Sequence, residues 1–136
     1  MRKDDPLRVI CLDDESDILA LLEVAAEFQP DFEIVATTSD PFVVIDLIRE
    51  HQPDVLILDH RLAETLAPDH PRATADTVST TIVAVTRTCA PDATIAVFTG
   101  REVIRDAKED VGDVWVQKPH LEDLWPAIRD SRRPKD

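Results

Sequence analysis

Short apolar runs alternate along this chain with longer segments in which apolar residues recur at helical spacing. Five of the short runs are rich in β-branched residues and lack polar alternation, the pattern of strands that are buried on both faces of a sheet. They span residues 9–12, 34–37, 55–58, 95–98 and 114–116. Because strands and helices alternate, the pattern predicts an α/β fold: a doubly wound, five-stranded parallel sheet with helices on both faces.

The segments between these runs predict helices. Apolar residues at 18, 21, 22 and 25 mark one face of a first helix, and residues 44, 47, 48 and 51 repeat the spacing in a second. For the second helix, Asp40 is the expected N-cap, Pro41 the first-turn proline, and Gln52 and Pro53 the end. The sequence therefore defines both ends of this helix.

The remaining helices are less regular. Residues 78, 81, 82 and 85 mark a third helix, although the threonines in this segment also leave a strand open. A short fourth helix is expected at 102–109, and a fifth uses residues 121, 124, 125 and 128. Pro126 is tolerated if the fifth helix begins near Glu122, because the missing amide then falls in the first turn; a kink is the alternative.

Length and composition indicate one folded unit. A chain of 136 residues matches one domain of about 100 to 200 residues, and 43% hydrophobic with 32% charged residues can form a core beneath a solvated surface. We expect a single domain over residues 1–130 and a disordered tail at 131–136. Residues 62–74 contain two prolines and lack helical spacing, which predicts a long loop.

Charge and cysteine content argue against several classes of function. Acidic residues outnumber basic ones 28 to 15, and the net charge of -13 disfavours direct nucleic-acid binding, which depends on lysine and arginine. Cys11, Cys89 and the four dispersed histidines lack metal or disulfide spacing. The start of the chain has no signal-peptide apolar region, and no run approaches the roughly 18 apolar residues of a membrane span. We expect a cytoplasmic protein without membrane association.

Chemically active residues stand at the ends of four predicted strands, in the order Asp13, Asp14 and Glu15, then Asp59, then Thr99 and Gly100, then Lys118 and Pro119. In an open parallel sheet, ligands bind beyond the carboxyl ends of the strands. Acids gathered there repel one another, and Mg²⁺, which prefers oxygen ligands, would offset that repulsion. A carboxylate nucleophile opposite an ammonium and a hydroxyl can accept a phosphoryl group.

The segments VICLDDESDIL, DVLILDHRL, IAVFTG and VWVQKP resemble, in this order, the signature segments of response-regulator receiver domains from two-component signalling. The resemblance spans nearly the whole chain. It implies a flavodoxin-like sheet with strand order 2-1-3-4-5, phosphorylation of Asp59 and a Mg²⁺ site. The ligands would be Asp59, Asp14, Asp13 mainly through water, and the backbone carbonyl of Arg61.

The same resemblance gives roles to three further residues and to the partners. Thr99 and Lys118 would contact the phosphoryl oxygens, and Trp115 would be the switch aromatic. The donor would be a sensor histidine kinase or a histidine phosphotransfer protein, and the modified domain would bind an unidentified output protein differently, with a phosphorylation-dependent dimer as one outcome. Such a domain assists its own modification and is not a turnover enzyme.

The chain departs from the family pattern after Asp59. The family usually has a Met-Pro pair and then an Asp-Gly turn there, whereas this chain has RLAE at 61–64. The stretch from Asp59 to Thr99 is longer than typical, so we expect the loop at 62–74 to cover the site. Arg61 and Arg101 lie two positions after Asp59 and Thr99, where they would modulate the lifetime of the phosphate.

Two other functions stay open from the sequence. The altered loops allow an interaction module that keeps the fold but no longer depends on phosphorylation, although the acidic strand ends argue against it. A hydrolase with an aspartyl-phosphate intermediate, as in haloacid-dehalogenase phosphatases, is the second. Those enzymes place another acid two residues after the nucleophile, where this chain has Arg61.

Overall fold

The computed structural model describes residues 5–59, 75–99, 113–118 and 120–132, without the side chains of residues 75–80 and 99. Several sequence predictions lie outside the described residues: the loop at 62–74, the short helix at 102–109, and the positions of Arg61 and Arg101. These stay predictions.

Five strands and four helices make up the described part of the chain. The strands are β1 (Leu7–Leu12), β2 (Phe32–Thr38), β3 (Val55–Leu58), β4 (Thr94–Thr99) and β5 (Val114–Gln117). The helices are α1 (Ser16–Glu27), α2 (Pro41–His51), α3 (Ala75–Cys89) and α4 (Leu121–Ser131). Neighbouring strands pair in parallel in the order β2-β1-β3-β4-β5. The α/β sheet and its strand order are confirmed.

Two apolar layers cover the two faces of the sheet. Successive side chains of a strand point to opposite faces. Val9 and Ile57 accordingly pack with α1 and α4, whereas Ile10 and Leu56 pack with α2 and α3. The helices therefore cover both faces, and the carboxyl ends of the parallel strands lie together at one edge. Of the four described helices, none combines the length and the apolar character needed to cross a membrane.

The threonine-rich segment forms helix α3, so the strand alternative for it is wrong. Within this helix the hydroxyl of Thr86 donates to the carbonyl oxygen of Ile82 at 2.8 Å, and that of Thr88 donates to the carbonyl oxygen of Ala84 at 2.9 Å. Such bonds to the preceding turn satisfy the hydroxyl groups inside a helix. They explain how the β-branched residues are accommodated here.

Helix α4 differs from the prediction at both ends. It begins at Leu121, so Pro126 is its sixth residue and lies beyond the first turn. Pro126 is on the exposed face, where water can bond to the carbonyl that the missing amide leaves free. At the other end, Arg132 caps the helix and donates through Nη1 to the carbonyl oxygen of Asp54 at 2.8 Å. The predicted tail therefore begins too early at residue 131.

Arg129 joins α4 to the turn before β2. Its Nε and Nη2 donate to the two carboxylate oxygens of Asp31 at 2.6 and 2.8 Å, and Nη2 also donates to the side chain of Gln29. The guanidinium lies over the ring of Phe32, 5.1 Å from its centroid. The hydrogen bonds from Arg129 hold the pKa of Asp31 below its ordinary value.

The start and end of α2 follow the sequence prediction. Oδ1 of Asp40 accepts hydrogen bonds from the amides of Phe42 at 2.8 Å and Val43 at 3.4 Å. Pro41 is the first helical residue, and Gln52 ends the helix with a left-handed φ of 46°. The predicted cap, first-turn proline and stop are all confirmed.

We expect Asp40→Ala to lower the free energy of unfolding by about 1 kcal/mol, because two helix amides lose their acceptor. Urea denaturation of the wild type and the variant measures the difference. Asp46→Ala changes an exposed acid inside the same helix and is the matched control. It should cause no loss, because alanine favours helix. Equal losses for both variants would contradict a capping role.

We expect Asp31→Asn to lower the free energy of unfolding at pH 7 by about 0.5 kcal/mol, as for an exposed ion pair. The folded protein lowers the pKa of Asp31, so the stabilisation is present above the unfolded pKa of about 3.9 and is lost as the pH falls through the folded pKa. Urea denaturation from pH 7 downward should therefore show the two proteins converging. The exposed Glu33→Gln serves as control, and a difference that does not change with pH would contradict the ion pair.

Candidate functional site

Two acids directly follow adjacent central strands of the sheet. β1 pairs with β2 on one side and β3 on the other, so the chain connections leave in opposite directions and open a crevice at the carboxyl ends. Asp13 follows β1, and Asp59 follows β3. The amide of Asp59 donates to the carbonyl oxygen of Leu12 at 2.9 Å, which extends the pairing of β1 and β3 by one residue. The sheet backbone thus fixes both acids at the crevice.

Three carboxylates meet in this crevice. One carboxylate oxygen from each of Asp13, Asp14 and Asp59 lies within 4.8 Å of the other two. Asp13 and Asp59 are each 2% exposed, whereas Asp14 is open to solvent. Oδ1 of Asp13 also accepts a hydrogen bond from the amide of Glu15 at 2.9 Å, which holds its side chain. Carboxylate oxygens grouped in this way are ligands that hard divalent cations prefer.

Lys118 reaches the same crevice from the end of β5. Its Nζ lies 2.7 Å from Oδ2 of Asp13, 2.8 Å from Oε2 of Glu15 and 3.4 Å from Oδ2 of Asp59. The lysine side chain is 9% exposed. Because an ammonium has three N–H donors, these three acids can occupy all of them.

The site carries more negative than positive charge. Among the described residues it contains four carboxylates, from Asp13, Asp14, Glu15 and Asp59, and the one ammonium of Lys118, which leaves three uncompensated charges on full ionisation. Burial raises the pKa of Asp13, and the hydrogen bonds from Lys118 and the Glu15 amide oppose this only in part. Burial would lower the pKa of Lys118, but its acidic neighbours raise it above the ordinary value. Lys118 therefore stays cationic, and the cluster favours a further cation.

The structure brings together the predicted residues Asp13, Asp14, Asp59 and Lys118. Thr99 ends β4 and stands opposite Gln117 in the strand pairing, so its backbone lies at the same edge of the sheet. The structure does not describe the side chain of Thr99. The predicted ligand carbonyl of Arg61 and the modulator positions Arg61 and Arg101 lie outside the described residues.

Trp115 lies in β5 and is half-buried. It stands opposite Val97 of β4 in the strand pairing. Its role as the switch aromatic stays a prediction.

Glu15 belongs to the site but had no predicted role. Its contact with Lys118 joins residues 103 positions apart, so spacing along the chain does not reveal it. The available signal was its place directly after the two acids at the end of β1.

A second acidic group lies away from the crevice, at the start of α4. Ligand atoms of His120, Glu122 and Asp123 lie within 4.8 Å of one another, and all three residues are exposed. The amino end of a helix carries partial positive charge, which disfavours a bound cation there. This group is therefore a weaker candidate for a metal site than the crevice.

No protein-family model matches the chain. It is similar to protein-glutamate methylesterase/protein-glutamine glutaminase 2 of Bordetella avium (strain 197N), with 47% identity over 53 residues. It is also similar to protein-glutamate methylesterase/protein-glutamine glutaminase 1 of Burkholderia pseudomallei (strain 1710b), with 45% identity over 53 residues. Each match covers 39% of this chain and 15% of the relative. The chain thus spans a small part of the length of these curated relatives.

Solved structures match over almost the whole chain. The signal receiver domain of the putative response regulator NarL from Mycobacterium tuberculosis has a TM-score of 0.72 at 18% identity, and the response regulator domain of Thermotoga maritima CheB has 0.71 at 18%. Both matches cover 96% of this chain and 99% of the other. RcsB from Salmonella enterica serovar Typhimurium has 0.71 at 21% identity, covering 93% and 99%. This chain has the fold of response-regulator receiver domains.

Proposed function

We propose that this chain is a phosphoacceptor of a two-component phosphorelay, which takes a phosphoryl group on Asp59 and changes its partner binding in response. The observation that carries the proposal is the grouping of Asp13, Asp14 and Asp59 within 4.8 Å, with Nζ of Lys118 3.4 Å from Asp59. The arrangement lies at the edge of the sheet where ligands bind in open α/β folds. It combines a carboxylate nucleophile, a place for a metal ion and a fixed cation.

The acids of the crevice fit Mg²⁺. Two of the three carboxylates are buried, and the single ammonium of Lys118 leaves a surplus of negative charge that a divalent cation would offset. Asp14 and Asp59 would hold the ion directly, with Asp13 acting mainly through water and the carbonyl of Arg61 completing the protein ligands. When bound, Mg²⁺ supplies charge neutralisation for the phosphoryl oxygens.

The transfer itself uses the carboxylate of Asp59. One of its oxygens attacks the phosphorus of a phosphohistidine; the new O–P bond forms as the P–N bond breaks, and the electron pair leaves with the imidazole nitrogen. Lys118 is already 3.4 Å from Oδ2 of Asp59, so its ammonium can pair with an oxygen of the transferred group. Thr99, at the end of β4, would donate its hydroxyl to another phosphoryl oxygen.

The proposed partners follow from this chemistry. A sensor histidine kinase or a histidine phosphotransfer protein would be the donor, and an unidentified output protein would bind the modified form. We propose that the domain assists its own phosphorylation without being a turnover enzyme. The curated relatives are named as methylesterases, but each match covers 15% of their length and does not extend that activity to this chain.

We expect Mg²⁺ to stabilise the wild-type protein, because the ion offsets carboxylate repulsion that exists only in the folded crevice. An ion at ten times its Kd would add about 1.4 kcal/mol to the free energy of unfolding. Urea denaturation with and without Mg²⁺ measures this gain. Asp59→Asn should abolish it, while Asp92→Asn, an exposed acid in the turn before β4, should retain it. A gain that survives Asp59→Asn would place the ion elsewhere.

We expect acetyl phosphate with Mg²⁺ to add the mass of one phosphoryl group to the wild type, as read by intact-mass spectrometry. Asp59→Asn should gain nothing, because the nucleophile is gone, and Asp92→Asn should match the wild type. Chelation of Mg²⁺ should suppress the reaction. A folded wild type that stays unmodified would overturn the proposal and favour an interaction module independent of phosphate, and a modified Asp59→Asn would place the acceptor at another residue.

A further inference from the structure

The contacts of Lys118 differ in length, and the longest is the contact with Asp59, the proposed site of phosphorylation. Nζ is 2.7 Å from Asp13 and 2.8 Å from Glu15, but 3.4 Å from Asp59. A phosphoryl group on Asp59 would carry close to two negative charges and would need a short charge-assisted contact. Lys118 already contacts three acids with its three N–H donors, so a shorter contact at Asp59 would draw the ammonium away from Asp13 or Glu15.

Glu15 is the partner that can release the lysine at low cost. Its side chain is 54% exposed, so water can solvate the carboxylate once it leaves Lys118. The side chain of Asp13 is 3% exposed, and an unpaired buried carboxylate is costly. Asp13 is also held by the amide of Glu15, whereas the Glu15 side chain makes no capping bond to α1.

We propose that Glu15 is a positioning residue that competes with a phosphoryl group on Asp59 for Lys118, and so weakens the hold of the site on that group. This inference rests on the proposed function. In the unmodified protein the ammonium is closer to Glu15, at 2.8 Å, than to Asp59, at 3.4 Å. Glu15 also adds a negative charge beside the place where the phosphoryl group would sit.

The test uses beryllofluoride as a phosphoryl mimic, titrated against the full chain at saturating Mg²⁺ and followed by NMR. We expect Glu15→Gln to bind it about fivefold more tightly than the wild type, the upper end for an exposed ion pair. Damage to the fold would lower the affinity for beryllofluoride, so a misfolded variant does not explain a higher affinity. Because the ion pair is exposed on the Glu15 side, the difference should shrink as potassium chloride screens it.

Asp17→Asn is the matched control. Asp17 is an exposed acid in the first turn of the same helix, so its neutralisation changes the net charge equally near the site. Because Asp13, Glu15 and Asp59 are the acids that pair with Lys118 in the described part of the chain, Asp17→Asn should give a clearly smaller gain. Equal gains in the two variants would show a general field effect and overturn the inference.

The remaining outcomes separate this inference from the function on which it rests. Unchanged or weaker beryllofluoride binding by Glu15→Gln, with a wild type that binds, overturns the role of Glu15 and leaves the phosphoacceptor function standing. A folded wild type that does not bind beryllofluoride overturns the proposed function, and this inference with it. Urea denaturation of Glu15→Gln confirms that the variant is folded.

Discussion

The site depends on the contact of one ammonium, on a lysine side chain that is 9% exposed, with acids that follow two separate strands. Nζ of Lys118 lies 2.7 Å from Asp13 and 3.4 Å from Asp59, and both acids are buried. Without this cation, the two buried carboxylates would repel each other with little water to screen their charges, which is strongly unfavourable. The sheet therefore has to bring the end of β5 to the crevice between β1 and β3. The parallel pairing of β4 with β5 makes this possible.

The fold meets this requirement through strands that are apolar on both faces. Such strands have no exposed face, so helices must cover the sheet on both sides. The parallel pairing of all five strands then puts every carboxyl end at one edge. The bond from the Asp59 amide to the Leu12 carbonyl shows how directly the backbone sets the site, because it continues the ladder by one residue. The acids are thus fixed by the backbone, while the lysine reaches them with a long side chain.

Much of this arrangement could be predicted from the sequence. The runs ending before Asp13, Asp59 and Lys118 identify buried strands, and a rule of sheet topology then places their ends together. The side-chain contacts that these residues make could not be predicted in the same way. The pair of Glu15 and Lys118 depends on how far two side chains reach across the crevice, and Arg132 bonds to the backbone of a residue 78 positions away. Local composition made Arg132 resemble part of a tail, although its guanidinium is held by the folded domain.

The packing of the sheet also explains why the acids stay close together despite their electrostatic repulsion. Leu12 and Leu58, the residues before Asp13 and Asp59, are each almost fully buried between the sheet and the helices. Moving either strand end outward would expose apolar surface and break the backbone pairing of β1 with β3, so the carboxylates cannot separate cheaply. Under the proposed function, a charge that enters the crevice would be balanced by side chains, and the exposed Glu15 would move at lower cost than the buried acids. The packed core would thereby confine the proposed response to the rim of the site, where α1 begins.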